Sequence, residues 1–183
     1  MDPSLSAVLR DWHDFYVLAG TASATLVGLM FVAVSIGTTI FDESRHAGVK
    51  AFITPTVIHF AAVLFMCLVV SMPSHTRLTL CALLGAGALA GTVYSGGVMV
   101  VQMILRRRYK IDLEDRLFYV FAPLAGYVFA LVAAASLFFQ DAAVGADFIA
   151  VAVLTLLFAA IRNAWDMMVW IVIKTPGSGP PSL

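Results

Sequence analysis

Five stretches of this chain are each long and apolar enough to cross a lipid bilayer, and that feature constrains the fold more than any other. They are Phe15–Ile40, Ala51–Met72, Leu78–Leu105, Leu117–Phe139 and Phe148–Ile173. A spanning helix needs about 20 apolar residues, and longer stretches tilt or project beyond the hydrocarbon. Polar or turn-forming connections separate them: Phe41-Asp42-Glu43-Ser44-Arg45, Pro73-Ser74-His75, Arg106–Arg116 and Gln140-Asp141. Backbone polar groups in hydrocarbon must be satisfied within the protein, so segments of this length span as helices. The expected fold is therefore an all-α, polytopic transmembrane helical bundle of five spans. Composition agrees: 61% of residues are hydrophobic and 12% charged, against about half and about a quarter in a soluble domain.

The ends read differently from the middle. Residues 1–14 carry Leu5, Val8, Leu9, Trp12 and, just beyond, Phe15 at helical spacing, with Asp2 and Pro3 suited to a helix start. They read as an amphipathic interfacial segment or an outward extension of the first span; the plainer alternative is a frayed terminus. The opening Met1-Asp2-Pro3-Ser4 lacks the basic region of a signal peptide, so the first span reads as retained. The tail 175–183, with Pro176, Gly177, Gly179, Pro180 and Pro181, is expected to be disordered.

Basic residues set an expected orientation. The connections after the first and third spans, with the C-terminal end, carry Arg45, Lys50, Arg106, Arg107, Arg108, Lys110, Arg116 and Lys174; the other side has Arg10 and Arg77. By the positive-inside rule the N-terminus lies outside and the C-terminus inside. The formal net charge is zero, so no global field draws nucleic acid. The partners expected are the lipid bilayer and either further copies of the chain or another membrane protein.

Helices in lipid gain from close approach through small residues. Gly20, Ala24 and Gly28 in the first span stand at four-residue steps, as do Gly87, Gly91 and Ser95 in the third and Ala122, Gly126, Ala130 and Ala134 in the fourth. These are expected helix-packing ridges. Pro123, about two turns into the fourth span, is expected to kink it.

The least expected residues lie in the fifth span: Arg162-Asn163-Ala164-Trp165-Asp166. Arg162 and Asp166, four apart, meet on one helix face, and Thr155, Ala159, Asn163 and Trp170 extend that stripe. A charge at mid-membrane costs about 2.5–3.5 kcal/mol on insertion scales, so neither should face lipid. At about 1.5 Å per residue, His59, Ser95, Tyr127, Arg162 and Asp166 all fall about 10–16 Å above the cytoplasmic ends of their spans. That ruler permits one intramembrane polar cluster of His59, Ser95, Tyr127, Arg162, Asn163 and Asp166. Such a cluster either marks a path for ions or another small solute, or is a neutralised clasp that holds the fifth helix in place.

Enzymatic chemistry finds little support, and the chain is expected not to be an enzyme. Tyr94-Ser95-Gly96-Gly97 faintly resembles the serine segment of rhomboid proteases, but Val93 stands where that motif carries Gly and five spans fall short of six. One deep carboxylate does not make an aspartyl dyad, and there is no His-Glu-x-x-His for zinc. His59 is the one deep histidine. Cys67 and Cys81 have no metal spacing and read as small hydrophobes. No metal and no cofactor are expected.

Gly28-Leu29-Met30-Phe31-Val32-Ala33-Val34-Ser35 and Arg162-Asn163-Ala164-Trp165-Asp166 resemble segments of an uncharacterised family of small bacterial polytopic inner-membrane proteins. The resemblance implies a bacterial inner membrane and no particular activity. The residues themselves lead to a homo-oligomeric channel or transport pathway as the expected function, with a non-catalytic accessory or scaffold subunit of a larger complex as the alternative.

Overall fold

The computed structural model describes residues 3–40, 46–73, 76–105, 117–139 and 141–174. Six helices account for nearly all of them: α1 Pro3–Asp11, α2 His13–Ile40, α3 His46–Ser71, α4 Arg77–Leu105, α5 Ala122–Phe138 and α6 Ala142–Lys174. A single π-helical turn, Leu117–Phe121, leads into α5. Five helices are long and apolar enough to cross a membrane, through His13–Ser35, Thr54–Ser71, Arg77–Val100, Phe118–Phe138 and Ala142–Val169. The all-α bundle with five candidate spans read from the sequence is the fold observed. The tail 175–183 and the basic connection 106–116 lie outside the described residues.

Side-chain chemistry sets the helix ends. Thr76 precedes α4, and its hydroxyl accepts from the Thr79 amide at 3.1 Å. Asp141 does the same for α6, its carboxylate accepting from the Val144 amide at 3.0 Å. Each satisfies an amide that has no partner in the first turn. The Asp141 cap starts α6 six residues ahead of the expected Phe148, because Asp147 is carried as an exposed residue inside the helix. At the same end of the bundle Arg77 donates to the Leu137 carbonyl at 3.1 Å, placing a cation on the C-terminal carbonyls of α5.

The bundle is built around α6. It packs along α5 on one flank and α3 on the other, and also meets α1 and α2; α4 lies mainly against α5, and α2 against α3. Half of the α6 span (50%) is buried, against 22% of the α2 span. The inward residues recur at helical spacings of three and four, with adjacent pairs between, and so keep to one face of a 3.6-residue helix. On α6 they are Ile149, Ala152, Val153, Leu156, Ala159, Ala160, Asn163 and Met167; on α3, Thr56, His59, Phe60, Val63, Met66, Cys67 and Val70. Outward positions are large and apolar, such as Leu18, Leu68, Val93 and Phe158, each at least 60% exposed. Large apolar side chains turned outward on every span suit a lipid solvent, not water.

Of the segment 1–14, residues 3–14 form α1 and the start of α2, separated at Trp12. Leu5 is fully buried, and α1 packs on α6 as well as α2. Trp12, Phe15 and Tyr16 pack edge-on or tilted against one another with ring centroids 5.3–6.2 Å apart.

The small-residue ridges divide. A methyl on Gly91 would collide with the Tyr127 ring, and one on Gly126 would lie 2.7 Å from Leu156. These glycines let α4 and α6 close on α5. Gly87 faces Phe65 of α3, and Gly20 faces Cys67. Ala24 and Gly28 depart from expectation. Both are exposed, and Gly28 has nothing within 4 Å of where a side chain would start. A strict four-residue step turns 40° per repeat away from any fixed line on a 3.6-residue helix. The packed face of α2 runs instead through Tyr16, Ala19, Gly20, Ser23 and Met30.

Candidate functional site

Two hydrogen-bonded groups hold three of the polar residues expected to cluster inside the membrane, His59, Tyr127 and Asn163. The first is at mid-bundle. His59 Nδ1 on α3 and the Tyr127 hydroxyl on α5 lie 3.0 Å apart and are buried, at 2% and 1% exposure. Which of the two donates follows from the imidazole tautomer. The Tyr94 ring of α4 stands edge-on to His59, centroids 6.4 Å apart. Tyr127 reaches His59 because Gly91 gives its ring room against α4. One helix's missing side chain thus positions another's hydroxyl on a third.

The second group is lower, where α5 begins. In the π register of Leu117–Phe121, the amide due to meet the Phe118 carbonyl belongs to residue 123, and Pro123 has none. The Asn163 amide of α6 supplies the donor, bonding Phe118 O at 3.3 Å. The Tyr119 hydroxyl in turn donates to the Asn163 backbone carbonyl at 3.4 Å. The kink expected at Pro123 therefore takes the form of a widened turn ahead of the proline, clasped by Asn163.

Arg162 and Asp166 pair across one turn of α6, and the Arg162 guanidinium lies 5.7 Å from the Phe118 ring centroid. The expectation that this pair faces the interior needs correcting. Its side chains are 38% and 28% exposed. Asn163, at 1%, takes the inward position, and a 3.6-residue helix then places residues 162 and 166 on the flank. Trp165 beside them points outward, and the side chain of Trp170 lies outside those described. The clasp on α6 is thus made by Asn163 and not by the ion pair.

Ser95 and Asn163 each leave one oxygen without a hydrogen-bond partner among the described residues: Ser95 Oγ and Asn163 Oδ1, both fully buried. Registers show their order along the bundle. Gly91 packs on Tyr127, so Ser95, one turn further on an antiparallel helix, comes level with Pro123. Gly126 packs on Leu156, so Asn163 comes level with Tyr119, as its bonds require. Asn163 is therefore about 12 Å below the His59–Tyr127 pair by helical rise. The expectation of one cluster at one depth fails because α6 runs past the point where α5 starts, so distances counted from helix ends have no common zero.

Sequence reasoning missed Tyr119 and the Phe118 carbonyl. A proline five residues after Phe118 was the available signal, and it becomes one only once the turn is known to be π. Two other buried bonds tie the spans: Ser23 to the Phe60 carbonyl at 2.7 Å and Tyr16 to the Ala146 carbonyl at 3.2 Å. Among the described residues, no group of three or more His, Cys, Asp or Glu side chains is placed to hold a metal ion.

Fold and site together fit a multi-pass integral membrane protein whose mainly apolar interior holds a few buried polar side chains. Comparison with protein-family models, curated proteins and solved structures finds no match to the chain.

Proposed function

We propose that this chain is a non-catalytic membrane protein that passes ions or another small solute along a polar line inside its bundle. It works as a homo-oligomer in a bacterial inner membrane, N-terminus out and C-terminus in. The line starts at His59 and Tyr127, descends past Ser95 to Asn163, and opens beside Arg162 and Asp166. The observation that carries this reading is the pair of unbonded buried oxygens, Ser95 Oγ and Asn163 Oδ1, below the His59–Tyr127 bond. Buried polar atoms in folded proteins nearly always have partners, and those without a protein partner take water. Water between these levels would connect mid-membrane to one surface.

The test is flux into liposomes holding the purified protein alone, with proton and monovalent-cation gradients. The wild type is expected to conduct, and Tyr127→Phe and Asn163→Ala to conduct less while remaining folded. No flux above protein-free vesicles, together with copurification of a larger membrane partner, would overturn this reading. It would support the second one, an accessory or scaffold subunit. That alternative draws on the outward notch at Gly28, open space flanked by exposed Leu29, Phe31 and Val32.

A further inference from the structure

We infer that Arg162, Trp165 and Asp166 form a surface site for a zwitterionic phospholipid headgroup that carries a primary ammonium, of the phosphatidylethanolamine kind. The inference is independent of what the bundle conducts. It begins with depth. Asp147 on α6 is exposed, and so is Asp14 on α2. The Tyr16–Ala146 hydrogen bond holds their neighbours at one level. Uncovered carboxylates do not rest in hydrocarbon, so this level is a membrane boundary. At 1.5 Å per residue, Asp166 lies about 28 Å down the helix from Asp147, and the hydrocarbon is about 30 Å thick. Asp166 therefore stands at the opposite boundary. Arg162 is one turn nearer the middle, but its guanidinium reaches to Asp166 and so to the same level. The two part-exposed charges and the outward Trp165, 67% exposed, then share the headgroup layer, where indole rings are favoured.

The chemistry of the pair selects among headgroups. A guanidinium has five donors, and Asp166 does not use them all, so some remain for a phosphate. A carboxylate has two acceptor oxygens, so Asp166 can also accept from an ammonium N–H. Phosphatidylethanolamine presents both groups. Phosphatidylcholine has the phosphate, but its quaternary nitrogen has no N–H to donate. Phosphatidylglycerol has no cation for Asp166. A net-neutral pair thus matches a net-neutral headgroup bearing donors, whereas a lone arginine would favour the anionic lipid.

The experiment reconstitutes the full chain with equimolar phosphatidylethanolamine, phosphatidylcholine and phosphatidylglycerol and reads retained lipid by native mass spectrometry. Phosphatidylethanolamine is expected to be retained about two- to five-fold over each of the others, the scale of a part-exposed charge contact. Asp166→Asn should abolish its advantage over phosphatidylcholine, and Arg162→Gln should lower phosphatidylethanolamine retention, both with unchanged helical circular dichroism. Equal retention of the three lipids by the wild type, or a preference for phosphatidylglycerol, would overturn the proposal whether or not the variants fold. So would an Asp166→Asn variant that keeps the full preference.

Discussion

Gly91 and Gly28 show how little a residue type says without its surroundings. Both belong to four-residue ridges of small residues, and the sequence offers no reason to treat them differently. In the bundle Gly91 lies under the Tyr127 ring, whereas Gly28 faces open space. A side chain at Gly91 must displace Tyr127, which is fully buried and tied to His59. Overpacking a close contact costs roughly 1–3 kcal/mol, and breaking the buried bond adds the cost of an unpaired polar group, again about 1–3 kcal/mol. Gly91→Ala is therefore expected to lower unfolding stability in detergent by about 2 kcal/mol or more. Gly28→Leu should leave the folded protomer as stable as the wild type. Denaturant titration of both variants is the check, and equal losses would contradict the placement of these two glycines. If copies or partners do meet at Gly28, only the size of the assembly should change, which light scattering reads separately.

At the scale of elements, the spans were legible because length and apolarity decide them, and neither depends on neighbours. The inward position of His59 and Tyr127 was half legible: helical rise places them at similar depth, but their bond also needs Gly91 to admit the ring. Asn163 was singled out, yet its role was hidden, because its partner is a backbone carbonyl exposed by a π turn. That relation yields its own prediction. Asn163→Leu removes the donor that meets Phe118 O and leaves a part-buried carbonyl unpaired, at a cost of about 1 kcal/mol. Pro123→Ala restores a backbone amide five residues after Phe118, allowing the helix to satisfy that carbonyl itself. The two substitutions should therefore couple. The double variant is expected to lose less stability than the sum of the single losses, by about 1 kcal/mol. Thermal unfolding of the four proteins in one detergent measures the coupling, and strict additivity would mean that Asn163 holds the turn by some other contact.

The whole molecule is a bundle with five candidate spans that carries large apolar residues on its outside as well as in its core, and that leads to a test of how it sits in the membrane. Five spans place the two ends of the chain on opposite sides. Thr76, Asp141 and Asp147 belong to the end of the bundle that holds the α3–α4 and α5–α6 connections, and all three are exposed. The basic residues Arg106, Arg107, Arg108 and Lys110 follow α4 at its other end in the sequence. The positive-inside rule puts that second end in the cytoplasm, so Thr76 and Asp147 should face outward. The native thiols, Cys67 and Cys81, are buried and should give little background. A membrane-impermeant maleimide applied to intact cells is therefore expected to label Thr76→Cys and Asp147→Cys, and to reach Lys110→Cys and Ser178→Cys only after permeabilisation. The reverse pattern would keep the fold and invert the orientation. Labelling of Lys110→Cys and Asp147→Cys from the same side would be more serious, because one helix-length of bundle separates those two ends. It would mean that α5, the span between those two positions, does not cross, and the five-span reading would fail.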